Sequence, residues 1–278
     1  MILSHARLPI PTLPQIGNHS EVNQVLTNDM LTTFLASRRQ GTSKHTIAFY
    51  QQCLDKAIGI KLSPQRINNF LSNLSCHNAK HSYYRAIRAL CNWLGNDAIK
   101  KVDAPKVARK LLPSITKEQL DILLDATDNL RDKTIVSLLF DSGLRLSELC
   151  SIKASDIDWS NNTLRVVVKG NREAKAAFTP TTATLLRDLI SSNGHSETLF
   201  GMKPRGIQDM LSRLSIATGI KCNPHAFRRG FACDLHRKGL STLAIMHLGR
   251  WHSLDMVERY TRSITFDDCL ELYQKAIS

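Results

Sequence analysis

Apolar residues recur at helical spacing through most of this chain and switch to strict alternation in one stretch. Leu31, Phe34 and Leu35 form one stripe. Ile47, Tyr50 and Leu54 form a second, beyond Gly41-Thr42-Ser43, a break that supplies a helix cap. Tyr83, Ile87, Leu90 and Leu94 share a face of a later helix and leave Arg85 and Arg88 pointing elsewhere. Thr116 and Gln119 have capping-box spacing ahead of Leu120, Leu123 and Leu124, and a helix through Ile135, Leu138 and Leu139 ends at Gly143. Between Ile157 and Pro180 the period falls to two: Leu164, Val166 and Val168 alternate with Arg165, Val167 and Lys169, predicting a strand pair with Lys169 at its turn. The expected fold is mainly α with a small β-sheet.

Length and charge divide the pattern. With 278 residues, 42% of them hydrophobic, the chain can bury two cores. Residues 1–26 are proline-rich and aperiodic and read as an extended arm. Residues 27–95 read as a helical domain, 96–113 as a basic linker carrying Lys100, Lys101, Lys106, Arg109 and Lys110, and 114–278 as a second, α+β domain. The net charge is +13, and it is uneven: residues 1–113 hold 15 Lys and Arg against 5 Asp and Glu, whereas 114–278 hold 22 against 19. Such an excess implies a polyanionic partner, because each phosphate contact releases condensed counterions. Nucleic acid is favoured over a membrane, since no stretch reads as a membrane span or a signal peptide, and a cytoplasmic, nucleoid-associated protein is expected.

Seven scattered cysteines suit reduced thiols. Cys222-x-x-His225 with Cys233-x-x-His236 offers four zinc-ligand types, but Pro224 at a first helical position would string them along one helix instead of letting them converge. No metal site is therefore expected.

Five chemistry-bearing residues stand in four local contexts: Arg145 in GLRLSEL, Lys169 in VVVKGNREAK, His225 and Arg228 in NPHAFRRGFA, and Tyr260 at the end of LGRWHSLDMVERY. Their order and spacing resemble the tyrosine recombinase/integrase family over nearly the whole chain. The resemblance implies an N-terminal helical core-binding domain, SAM-like, that closes over a duplex, followed by a catalytic domain that cuts DNA with a tyrosine and rejoins it to another strand. It makes Tyr260 the nucleophile and places Lys169 on the family's β-hairpin, some two dozen residues after the first arginine. It also assigns Trp251, nine positions before Tyr260, to the family's His or Trp position. Arg250 stands between the Leu-Gly pair and Trp251, so neighbouring His252 remains a second candidate for that contact. Arg229 replaces the histidine that many members carry after the second arginine. Glu148 resembles a family carboxylate, expected to orient Arg145 or Lys169 and not to touch phosphate.

Residue chemistry fits those assignments. Attack of a phenol oxygen on a phosphodiester builds negative charge on the nonbridging oxygens, and the planar, permanently charged forks of Arg145 and Arg228 suit that charge. His225, three residues before Arg228 on one helix, shares its face and can donate to a phosphate oxygen or accept the tyrosine proton. A phenol with an ordinary pKa of about 10 needs such help. Lys169 can protonate the departing 5′ oxygen as general acid. A phosphotyrosine link preserves the energy of the broken bond, so neither ATP nor a metal is required and no cofactor is expected; neither a P-loop pattern nor an acidic metal cluster occurs in the sequence.

Lys44, Arg85, Arg88, Lys100, Lys101, Arg172, Lys175 and Arg229 are the candidate DNA-contacting cations. The expected partners are double-stranded DNA carrying a specific site, further copies of the chain as a tetramer on paired sites, and accessory DNA-bending proteins. In this family the segment after the nucleophile is commonly donated to a neighbour. Residues 267–278, with Asp267 as cap and Cys269, Leu270, Leu272, Tyr273 and Ile277 as apolar positions, match it. A type IB topoisomerase with similar Arg, Lys and Tyr chemistry, and a catalytically inactive DNA-binding relative, are the alternatives. The helical front domain and the HxxR and LGRW signatures disfavour the first, and the intact residue set disfavours the second.

Overall fold

The structure is a computed structural model that describes residues 24–106, 112–168, 172–192, 197–262 and 264–277. It contains two compact units, residues 1–109 and 110–278.

The first unit is a bundle of α1 (Asn28–Arg38), α2 (Lys44–Asp55), α3 (Pro64–Ser72) and α4 (His77–Leu94). Side-chain oxygens of Thr27 and Ser43 accept from Met30 N and Thr46 N, which satisfies first-turn donors that have no partner within their helices. Gly95, at φ 69°, lets α4 end in a left-handed turn. The predicted stripes meet in one core around Phe34, Leu54, Ile67, Ile87 and Leu90, with Tyr50 and Trp93 edge-on to the Phe34 ring.

Two expected boundaries are corrected here. The arm does not extend to residue 26: Leu26 is buried in this core, and its N–H donates to Ile60 O at 2.9 Å. Residues 1–23 lie outside the described residues. Nor does the linker begin at 96, because Asp97–Lys101 forms a 3₁₀ turn that seats Ile99 and Val102 in the same core. In both places a few apolar side chains outweigh a composition of proline and lysine.

The second unit begins with α5 (Lys117–Asp125), opened by the reciprocal Thr116 and Gln119 cap. Next come α6 (Leu130–Ser142), ended by Gly143 at φ 55°, and α7 (Leu146–Ser151). A three-stranded antiparallel sheet follows: β1 (Ile157–Asp158), β2 (Thr163–Val168) and β3 (Arg172–Ala177), in that order. The predicted pair is thus β2 and β3, in register Val166 with Ala174. β1, only two residues long, is too short to leave a periodic signal. Leu164 and Val166 face the core while Arg165 and Val167 are exposed.

Then come α8 (Pro180–Ser192), α9 (Pro204–Thr218), α10 (Pro224–Arg237), α11 (Thr242–Leu248), α12 (Leu254–Thr261) and α13 (Phe266–Ile277). α10 is the central helix, buried from Ala226 through Cys233 with two arginines in that run. Gly230 lets the helix pass directly beneath the chain at Ile115, whose carbonyl oxygen would lie 2.4 Å from any Cβ added there. The cap of α13 is Thr265, not Asp267: Thr265 accepts from Asp268 N while Asp268 accepts from Thr265 N. Among the described residues, no helix is long and apolar enough to cross a membrane.

Candidate active site

Three turns of the second unit bring the candidate residues together. The left-handed Gly143 closes α6, Leu144 anchors the chain in the core, and Arg145 follows in extended conformation as the residue before α7. Glu148, only 2% exposed, grips Arg145 twice: Oε1 accepts from Nη1 at 2.7 Å and Oε2 from the backbone N–H at 2.9 Å. Burial pushes the Glu148 pKa up, but the backbone and side-chain hydrogen bonds from Arg145 and the charges of Arg250 and Arg145 outweigh it, so the net shift is downward and the group stays ionised. The sequence left Arg145 and Lys169 open as the partner of Glu148; among the described residues it bonds Arg145.

α10 contributes His225 and Arg228. Asn223 caps it, accepting from Ala226 N, and Pro224 occupies the first turn where no N–H is needed. Arg228 is 2% exposed; its Nη1 donates to Gly143 O and its Nη2 to Gly249 O. Burial, with Arg145 and Arg250 nearby, lowers its pKa to about 9, still well above neutrality. His225 retains an exposed surface, yet desolvation by the protein packed against it, then Arg229, Arg228 and Arg145, lowers its pKa. Its imidazole is therefore neutral near pH 7 and free to accept a proton. Arg145, His225 and Arg228 all line an open cleft of about 700 Å³ whose other wall includes Gln208, Ser212 and Ser215 of α9.

The third turn joins α11 to α12. The Trp251 indole lies against Gly249 so closely that an added Cβ would sit 1.9 Å from the ring, which explains the glycine. Its ring centre is 4.5 Å from the Arg228 guanidinium and 5.4 Å from the Tyr260 ring, so it packs against both the candidate clamp and the candidate nucleophile. The indole Nε1 is buried without a hydrogen-bond partner among the described residues, whereas His252 is exposed. Tyr260 is half-buried near the end of α12, its ring against Trp251.

Not every predicted residue joins this cluster. Lys169 lies outside the described residues; Val168 and Arg172 on either side of that segment are paired in β2 and β3. Lys44, Arg85, Arg88, Lys100, Lys101, Arg172 and Lys175 are exposed, and Arg85 stacks on the Phe49 ring. Arg229, expected to contact DNA, is instead buried, with Nε donating to Pro113 O at 2.6 Å. Cys222 donates to Leu211 O, and burial pushes its thiol up to about 11, unfavourable for a thiolate ligand beside His225. Arg250, assigned no role from sequence, is buried within 3.5 Å of Glu148.

Residues 113–265 match the Phage integrase family. Tyrosine recombinase XerA of Pyrococcus horikoshii is 28% identical over 92% of this chain and 96% of its own length. Tyrosine recombinase XerA of Saccharolobus solfataricus is 32% identical over 70% of this chain and 67% of its own. A crystal structure of a lambda integrase dimer bound to a COC' core site shares the fold, with a TM-score of 0.72 at 17% identity, covering 88% of this chain and 98% of that one.

The His225 environment makes a measurable prediction. In the free protein, an NMR titration should place its midpoint below the ordinary value of 6.5, because burial and neighbouring cations disfavour the protonated form. Arg229→Gln, which removes the strongest of the neighbouring cationic influences, should raise the midpoint, while Arg229→Lys should leave it low. A wild-type midpoint at or above 6.5 would contradict this electrostatic picture.

Proposed function

Because the chain belongs to the phage integrase family of tyrosine recombinases, we propose that it cuts and rejoins double-stranded DNA at specific sites through a 3′-phosphotyrosine intermediate on Tyr260. The observation that carries this reading is the convergence of Arg145, His225 and Arg228 on one cleft, with Trp251 packed between Arg228 and Tyr260. Three guanidinium groups, those of Arg145, Arg228 and Arg250, influence one another across the site, and Glu148 is the carboxylate that offsets them among the described residues. An anion seated there relieves that repulsion, and a scissile phosphate is such an anion.

The chemistry follows from these positions. The Tyr260 oxygen attacks phosphorus, and its proton passes to the neutral His225 imidazole. As the bond from phosphorus to the tyrosine oxygen forms, the bond to the 5′ oxygen breaks, and Lys169 protonates that leaving oxygen. Arg145 and Arg228 hold the nonbridging oxygens where charge develops. For Arg228 this requires exchanging its two carbonyl partners, Gly143 and Gly249, for phosphate oxygens. Trp251 offers its unpaired indole N–H to the same group. Attack by a 5′ hydroxyl from another strand reverses the sequence, and two such exchanges pass through a Holliday junction. No ATP or metal enters, since the phosphotyrosine conserves the bond energy.

Exposed Lys44, Arg85, Arg88, Lys100 and Lys101 of the first unit, with Arg172 and Lys175 of the hairpin, serve as phosphate contacts along the duplex. Accessory DNA-bending proteins belong to the same proposal. So does a tetramer on paired sites, built by α13: Phe266, Tyr273 and Ile277 leave large apolar surfaces exposed on a helix with no buried residue.

The test uses a nicked duplex carrying the protein's selected binding site, in which loss of the short 5′ fragment traps the intermediate. Wild-type protein should become covalently attached at Tyr260, and Tyr260→Phe should bind the duplex with equal affinity and form no adduct. An adduct formed by the Phe variant would remove Tyr260 as nucleophile. Deleting residues 266–278 should leave single-site binding unchanged while abolishing paired-site complexes in sedimentation and all recombinant product; normal recombination by the truncated protein would exclude exchange through α13.

A further inference from the structure

Arg250 occupies a costly position. It is a non-glycine residue in left-handed conformation, φ 56°, and its side chain is 5% exposed in a protein with ample surface for cations. The guanidinium fork reaches three separate segments. Nη1 donates to Leu248 O at 2.8 Å within its own turn and to Lys175 O of β3 at 3.5 Å. Nη2 donates to Ser142 O at the end of α6, at 3.1 Å, and lies 3.5 Å from Glu148 Oε2. That same carboxylate oxygen accepts the backbone N–H of Arg145, and its twin accepts Arg145 Nη1. The contacts all point into the protein, so Arg250 has its effect on neighbours and not on a bound molecule.

We propose that Arg250 is a positioning residue for strand cleavage: it fixes the Glu148 carboxylate, which in turn aims Arg145, and it ties the β2–β3 sheet and the turn before Trp251 to the same point. The role rests on the reading of Arg145 as a phosphate ligand. Arginine is required because one planar group must meet a carboxylate and several carbonyl oxygens at once, which a lysine ammonium does with fewer donors and a different geometry. With Arg250 gone, Glu148 keeps a single cationic partner in a buried site and its carboxyl is held less firmly in the ionised form. Its grip on Arg145 then loosens, and a small misplacement of a phosphate ligand is enough to slow chemistry severely.

The test compares Arg250→Gln and Arg250→Lys with wild type on the nicked duplex, together with a carbon-13 titration of the Glu148 carboxyl in the free full-length protein. Arg250→Gln should slow single-turnover cleavage by about tenfold or more at saturating DNA, with the DNA Kd little changed, and should raise the Glu148 midpoint. Arg250→Lys should restore the midpoint and cleave at an intermediate rate. In a Glu148→Gln background, Arg250→Gln should add little further loss, because its route to Arg145 is already broken. Wild-type cleavage by Arg250→Gln, an unmoved Glu148 midpoint, or a full additional loss in the Glu148→Gln background would each overturn the proposal. If Arg250→Gln does not fold, Arg250→Lys decides alone: cleavage at the wild-type rate overturns it. The underlying reading fails separately, because Arg145→Lys would then cleave normally whatever the Glu148 midpoint does.

Discussion

The second unit's site depends on a carboxylate that water does not reach. Burying Glu148 is unfavourable by several kcal/mol unless its charge is met, and here it is met by the Arg145 backbone N–H, the Arg145 guanidinium and Arg250. The arrangement has a consequence beyond stability. One acid gathers two arginines, a third arginine on α10 lies close to both, and the sum is a buried excess of positive charge beside an open cleft. Burial first, and then the neighbouring charges of Arg145 and Arg250, lower the pKa of Arg228. The cluster is therefore organised before any ligand arrives, and what it lacks electrostatically is an anion.

The surrounding fold holds this charge in place through ordinary packing. α10 is buried along most of its length, so Arg228 cannot swing to solvent, and Gly230 permits the helix to lie tightly beneath the chain at Ile115. Gly143 and Gly249 accept the two Arg228 forks through their carbonyls, tying the ends of α6 and α11 to the same side chain. Trp251 then fills the space between Arg228 and Tyr260. A change at any one of these glycines reaches the chemistry through backbone position, although none of them carries a reactive group.

Much of this was legible in the sequence because it is local. The Thr116 and Gln119 cap, the Gly143 stop, the alternation of Leu164 and Val166 and the HxxR spacing on α10 all depend on residues within a few positions of each other. A bracing role for Glu148 came from the family resemblance, which left Arg145 and Lys169 open as its partner. What escaped depends on contacts far apart in the chain. Arg250 looked like a spacer before Trp251, since neither its burial nor its reach to Ser142 and Lys175 has any local signal. Arg229 looked like a surface cation for the same reason, and its partner, Pro113, lies 116 residues away. Leu26, Ile99 and Val102 sat in stretches whose prolines and lysines masked their place in the core.

The central claim is that Arg145 and Arg228 act by neutralising charge on one phosphate. A scissile methylphosphonate, in which an uncharged methyl replaces one nonbridging oxygen, isolates that function because the charge to be neutralised is absent. Single-turnover cleavage by Arg145→Ala and Arg228→Ala should fall by about a hundredfold or more on the ordinary phosphodiester. On the methylphosphonate, both variants should recover most of that loss relative to wild type. Equal losses on the two substrates would show that these arginines do not serve the phosphate charge, and would contradict the account.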